Sequence, residues 1–223
     1  MANFRTHLGV AAAAGAVLAH GGWQAGLWSA MESLPLLALV TFGGILPDID
    51  ADRSRAIRLI FNLLAVPAVV AGALVLQTRM ATGALLMVCG VIYLSARYLA
   101  GALFARFTVH RGLWHSLLAA GLCGLVATVL SHRLFGQSDH LAWAHGIGLA
   151  SGFAIHLLLD ELYSVDLTGA RLKRSFGTAL KPFDWREPGN SLVMLMVAAS
   201  LAPWLPPVEP LRELLRQGAS LWR

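Results

Sequence analysis

Apolar residues fill this chain in seven stretches, at about 8–19, 33–47, 57–76, 82–105, 112–131, 141–162 and 190–205. Several reach the ~20 residues that a helix needs to cross the hydrocarbon of a bilayer. Only 13% of the residues are charged, against about 25% in a typical soluble domain, and mean hydropathy is +0.66. A soluble fold of this size would lack polar surface. The pattern predicts an all-α fold, a polytopic membrane bundle of about six to seven apolar helices. One membrane-embedded domain is expected over 1–205, followed by an amphipathic tail over 206–223. In that tail Leu211, Leu214, Leu215 and Leu221 alternate with Arg212, Glu213 and Arg216, a pattern that suits a membrane surface.

The first two stretches are short and rich in Ala and Gly, which fits tilted or re-entrant segments. Arg5, the Ala-rich run and Val17-Leu18-Ala19 also fit a signal peptide, whose cleavage would remove His7. Net charge is +5, but the basic residues are scattered through loops. No nucleic-acid partner is expected. Cys89 and Cys123 lie in apolar segments without CxxC spacing and read as small core residues.

Seven metal-capable side chains stand beside these stretches. They are His7, then Asp48 and Asp50 in Gly43-Gly44-Ile45-Leu46-Pro47-Asp48-Ile49-Asp50, then His110 and His115 in His110-Arg111-Gly112-Leu113-Trp114-His115-Ser116, then His156 and Asp160. Ionisable groups near apolar spans are costly in lipid and ask for a partner or a function. His156 and Asp160 are spaced i, i+4 and share a helical face. Asp48 and Asp50 alternate, so an extended segment would point both carboxylates one way; a polar turn with an N-cap explains them as well. Trp114 suits an aromatic interfacial anchor. His145 shares a face with His156, but eleven residues of helix is about 16 Å of rise, too far for one metal.

Suppose each apolar stretch reverses the direction of the chain. His7 starts the first, Asp48 and Asp50 end the second, His110 and His115 precede the fifth, and His156 and Asp160 end the sixth. All four sites then fall at one membrane face. Arg53, Arg55, Arg58, Arg106, Arg111, Arg171, Lys173, Arg174, Lys181 and Arg186 lie in loops on that side. Positive-inside bias therefore predicts that it is the cytoplasmic face of the membrane. The segment 163–189 carries Lys173, Arg174 and Lys181 with Phe176, Phe183 and Trp185 interleaved. It is expected as an interfacial loop or a substrate lid.

Together these motifs resemble the YdjM-like (YbcI-like) family of inner-membrane metal-dependent hydrolases, over about residues 1–170. That family is similar in helical layout and ligand pattern to zinc-dependent phospholipase C and the P1-type nucleases. The resemblance implies a multi-zinc site for phosphodiesters. A set of His and Asp without Cys suits zinc, manganese or iron, and seven donors exceed the four of one structural zinc, so two or more ions are expected. Arg53, Arg55 and Arg111 are the candidate phosphate-binding residues. Asp50, Arg111 and Ser116 are the candidate catalytic ones, with Ser116 holding a ligand histidine or a water. The expected reaction is metal-assisted hydrolysis of a phosphoester, with membrane lipid headgroups as substrate.

Two rivals stand beside it. A metal-free phosphatase with a histidine nucleophile would use His156 and Asp160, but its Pro-Ser-Gly-His motif is absent. A non-enzymatic membrane protein would hold or carry the metal. Transport predicts polar residues along the helices, where Arg97 and His145 are the obvious candidates.

Overall fold

The computed structural model describes residues 3–50, 55–100, 102, 112–166, 171, 172, 177, 178 and 180–220. Side chains at 49, 50, 55–58, 67, 166, 171, 172 and 220 fall outside that description. The fold is all-α, as expected. Its helices are α1 (Phe4–Gln24), α2 (Ala30–Gly43), α3 (Arg55–Leu76), α4 (Thr82–Leu94), α5 (Leu117–Val129), α6 (Asp139–Leu162), α7 (Pro188–Ser200) and α8 (Glu209–Ser220). Helices α4 and α5 run on into π-helical turns, Ser95–Leu99 and Leu130–Leu134. A two-residue antiparallel pair, Val165–Asp166 with Arg171–Leu172, is the one departure from helix and turn among the described residues.

Local chemistry sets the helix starts. Asn3 caps α1 by accepting from the Thr6 amide at 2.9 Å. Ser29 and Glu32 form a reciprocal capping box at α2, the S-x-x-E signature. Helix α5 begins at Leu117, although its apolar stretch begins at 112. Ser116 decides this: its hydroxyl accepts from the Ala119 amide at 3.2 Å and donates to the Leu113 carbonyl at 2.7 Å.

By length and composition, four helical segments among the described residues can cross a membrane: Leu59–Leu76, Thr82–Leu99, Leu117–Leu134 and Asp139–Leu162. A fifth counts if α7 and α8 form one span broken by a bend of 106°. Helix α2 is apolar but shorter. Its 14 residues rise about 21 Å, less than the ~30 Å hydrocarbon core.

The chain divides into two compact units, Met1–Pro47 with Arg111–Arg223, and Asp48–His110. In the first, α6 is the central helix, with 13 of its 24 residues buried. It packs against α1, α2, α5 and α8, while α1 packs on α2 and α7 on α5. Glycines permit the close approach. A methyl group at Gly152 would collide with the Val40 backbone, and one at Gly43 with the Leu149 carbonyl. One at Gly146 would meet Thr128 and the Gly124 carbonyl. Helices in lipid associate through such contacts, because the hydrophobic effect gives them no reason to leave the acyl chains. In the second unit α3 and α4 form a helical pair, with Tyr93 Oη 3.4 Å from Asn62 Oδ1. The segment Thr82–Leu99 has no buried residue, as suits a helix whose solvent is hydrocarbon.

Candidate metal centre

Within the first unit the alternating direction of the helices brings four chain-distant ends together. His7 lies in the first two turns of α1, Gly44 follows α2, His115 precedes α5, and His156 and Asp160 occupy the last two turns of α6. His7 Nε2 stands 3.2 Å from Asp160 Oδ1. His115 Nε2 is 4.0 Å and His156 Nε2 3.9 Å from Asp160 Oδ2. The His7 and His156 rings stack at 3.6 Å, and His115 meets His156 edge-on at 5.8 Å. His7 is 1% exposed, and His115, His156 and Asp160 are 0% exposed.

One further contact sets the chemistry of His156. Its Nδ1 lies 2.7 Å from the Gly44 carbonyl, and a carbonyl can only accept. The Nδ1–H therefore donates, and the lone pair of the neutral ring sits on Nε2, which faces Asp160. Orientation of a ligand histidine by a backbone carbonyl is a recurrent support of metal sites. Tetrahedral zinc with bonds of about 2.0–2.1 Å sets its donors about 3.3–3.4 Å apart; the 3.2 Å between His7 and Asp160 matches this, while the 3.9 and 4.0 Å of His156 and His115 are wider. His7, His156 and Asp160 each offer a ligand atom within 4.8 Å of the others.

Apolar side chains close the surroundings. Trp114 is half-buried. Its indole donates to the Leu46 carbonyl at 3.1 Å, and its ring meets Phe153 edge-on at 6.2 Å. Phe153 and Leu157 are fully buried on α6.

A strap from the loop before α7 ties two ligand-bearing ends. Glu161, the neighbour of Asp160, accepts from the amides of Gly177 and Leu180. The Lys181 and Pro182 carbonyls accept from the amides of Leu117 and Leu118, both at 2.9 Å, just beyond His115. Gly177 sits at φ +78, a conformation that glycine adopts without strain. Lys181 pairs with Asp184 at 3.2 Å, both side chains largely buried, so its charge is spent inside the strap and not on headgroups.

Of the seven metal candidates, the first unit thus gathers His7, His115, His156 and Asp160. Asp48 is half-buried and opens the second unit, in the turn Pro47–Asp50. His110, Arg111 and Arg53, and the side chains of Asp50 and Arg55, lie outside the described residues. Ser116 is buried, with its hydroxyl used in capping. Sequence reasoning missed Gly44, whose role belongs to its carbonyl and leaves no side-chain signal.

The family model described as YdjM inner membrane protein matches residues 1–205. No curated protein and no solved structure matches the chain.

Proposed function

Because the chain belongs to the YdjM inner membrane protein family, we propose that it is a multi-pass membrane hydrolase. It holds a divalent cation on His7, His115, His156 and Asp160 and cleaves a phosphoester, with lipid headgroups as the substrate class. The observation that carries this reading is the convergence of three imidazoles and one carboxylate, all buried, at one end of the first unit. Burying ionised groups costs several kcal/mol per ion, and a shared cation offsets that cost. Nitrogen and oxygen donors without sulfur suit zinc, and also manganese or iron. A bound cation supplies an activated water and polarises a phosphoryl oxygen.

The remaining work falls to the chain itself. Gly44 fixes the tautomer and aim of His156. Asp160 supplies the set's one negative charge, so a divalent cation leaves the site net positive toward an anionic phosphate. The similarity of the motifs to zinc phospholipase C and the P1-type nucleases is what favours a phosphoester. The seven sequence donors, of which four are gathered here, are the ground for a second ion. The loop arginines favour a site facing the cytoplasm.

A second reading is favoured by the count of ligands. If His115, 4.0 Å from Asp160 Oδ2, joined His7, His156 and Asp160 on one ion, four protein donors would complete a tetrahedral shell, as in structural zinc sites, whereas catalytic sites keep a position open. The cation would then staple the helix ends. Elemental analysis of the purified protein and of a His156→Ala/Asp160→Ala variant tests both readings. Metal in the first and none in the second is expected; metal retained in the variant refutes the site. Cobalt substitution then separates the readings. A d–d spectrum that shifts on adding phosphate, together with cleavage of phospholipid or a generic phosphodiester, supports the hydrolase. A spectrum that phosphate leaves unchanged supports the staple.

A further inference from the structure

The first unit holds a second feature, which does not depend on the metal. A cavity of about 600 Å³ opens among α1, α2, α6 and α8, within the ~300–1,000 Å³ of small-molecule sites. Only two of its lining side chains carry polar atoms, Trp28 and Ser151. Trp28 is already satisfied, because its indole donates to the Ala19 carbonyl at 2.8 Å. The wall therefore offers an occupant carbon and almost nothing else. The slot is open to its surroundings, and its lining lacks dispersion contacts until carbon fills it.

Three observations identify the occupant. First, the lining continues into the outer apolar surface: Val17 is 69% exposed and Leu215 58% exposed. In a member of an inner-membrane family that surface meets acyl chains. Second, α8 forms one wall and is fixed in place. It bends 106° from α7, buries Leu214 against Ala19, Leu36, Trp143 and Ala144, and is anchored through the Trp143 indole on the Pro207 carbonyl. Third, the same helix supplies charge. Arg212 and Arg216 are exposed one turn apart on one face of α8, which they share with Glu209 and Glu213 and which borders lining residues Leu215 and Ala219; the arginines make no ion pair among the described residues. Two arginines beside an apolar slot complement an anionic headgroup joined to an alkyl chain.

We propose that this cavity binds one acyl chain of a membrane phospholipid, with its phosphate at Arg212 and Arg216 of α8. On α6 the lining runs from Ala144 to Ser151, 16 to 9 positions or about 24 to 14 Å of rise from Asp160. The slot therefore extends away from the metal ligands and includes none of them. The chain would run from α8 toward Val40 and Ser151.

Native mass spectrometry of the full chain, released from detergent after delipidation and re-addition of phosphatidylglycerol, tests this. One lipid per protein is expected to survive. A Cβ at Gly21 or at Gly218 meets nothing within 4 Å, so Gly21→Leu/Gly218→Leu fills the cavity without a backbone clash. That variant should lose at least about tenfold of the retained lipid at an unchanged or raised Tm. Arg212→Gln/Arg216→Gln should remove the preference for phosphatidylglycerol over phosphatidylcholine. No retained lipid in the wild type, or equal retention in the filled variant, overturns the proposal. So does a lipid-free dimer that the filled variant abolishes, since a second copy would then occupy the cavity.

Discussion

Helix α6 buries a histidine near each end, and the two are used differently. His145, 7% exposed, has one close partner, Ser131 Oγ at 2.7 Å from Nδ1 on the neighbouring π-helical turn. His156, 0% exposed, has the Gly44 carbonyl behind it and Asp160, His7 and His115 in front. Both sit on one helix, equally hidden from solvent. Burial therefore does not mark a functional histidine. What singles out His156 as a candidate ligand is the convergence of potential donors from chain-distant segments around it.

The two ends share one frame, and breaking that frame should have the largest effect. Gly152 lies between the histidines, where a side chain would strike the Val40 backbone and the Gly44 amide. Gly152→Val should destabilise by about 3 kcal/mol or more, read as loss of the thermal transition or of folded yield. A normal Tm would show that α2 and α6 can separate without harm.

Next in size is the contrast in metal binding. Asp160→Asn keeps the shape of the side chain and removes the cluster's negative charge. It should weaken zinc binding by more than about 100-fold, the upper range for supporting residues being about 100-fold. His145→Phe should leave binding within about twofold. Equal losses in a zinc competition titration would erase the distinction between the two ends.

How much of this was legible in the sequence follows from the range of each interaction. The helices were readable because an apolar stretch records its own burial, and the caps at Ser29 and Ser138 are local too. Convergence of His7, His115, His156 and Asp160 was readable because reversing helices leave alternate ends together. The role of Trp114 was not, because its partners Leu46 and Phe153 are 68 and 39 positions away and meet it only after folding. The Gly44 carbonyl was hidden for another reason, since any residue has one. Nor did hydropathy forecast the separate unit Asp48–His110, because a helix facing lipid and one facing helices read alike.

The strap gives a smaller test. Glu161→Gln keeps one acceptor oxygen and sets an NH2 donor where the other stood, so one of the bonds from the Gly177 and Leu180 amides is lost and the other is no longer charge-assisted. Faster hydrogen exchange at those amides is expected, with roughly tenfold weaker metal binding if the strap positions the helix ends. Faster exchange with unchanged binding would confine Glu161 to the loop.

The smallest expected effect falls at the other histidine. Ser131→Ala removes the partner of His145 Nδ1. In water-soluble cores an orphaned buried group costs about 1–3 kcal/mol, but polar contacts between membrane helices average about 0.6 kcal/mol, because the unfolded chain in the bilayer also finds partners. Ser131→Ala should therefore cost about 0.6 kcal/mol in a detergent unfolding titration and leave metal content unchanged. A loss of metal would mean that the two ends of α6 are coupled through the helix. His145 would then belong to the same functional unit as His156, and the contrast between them would be one of distance from the cation only.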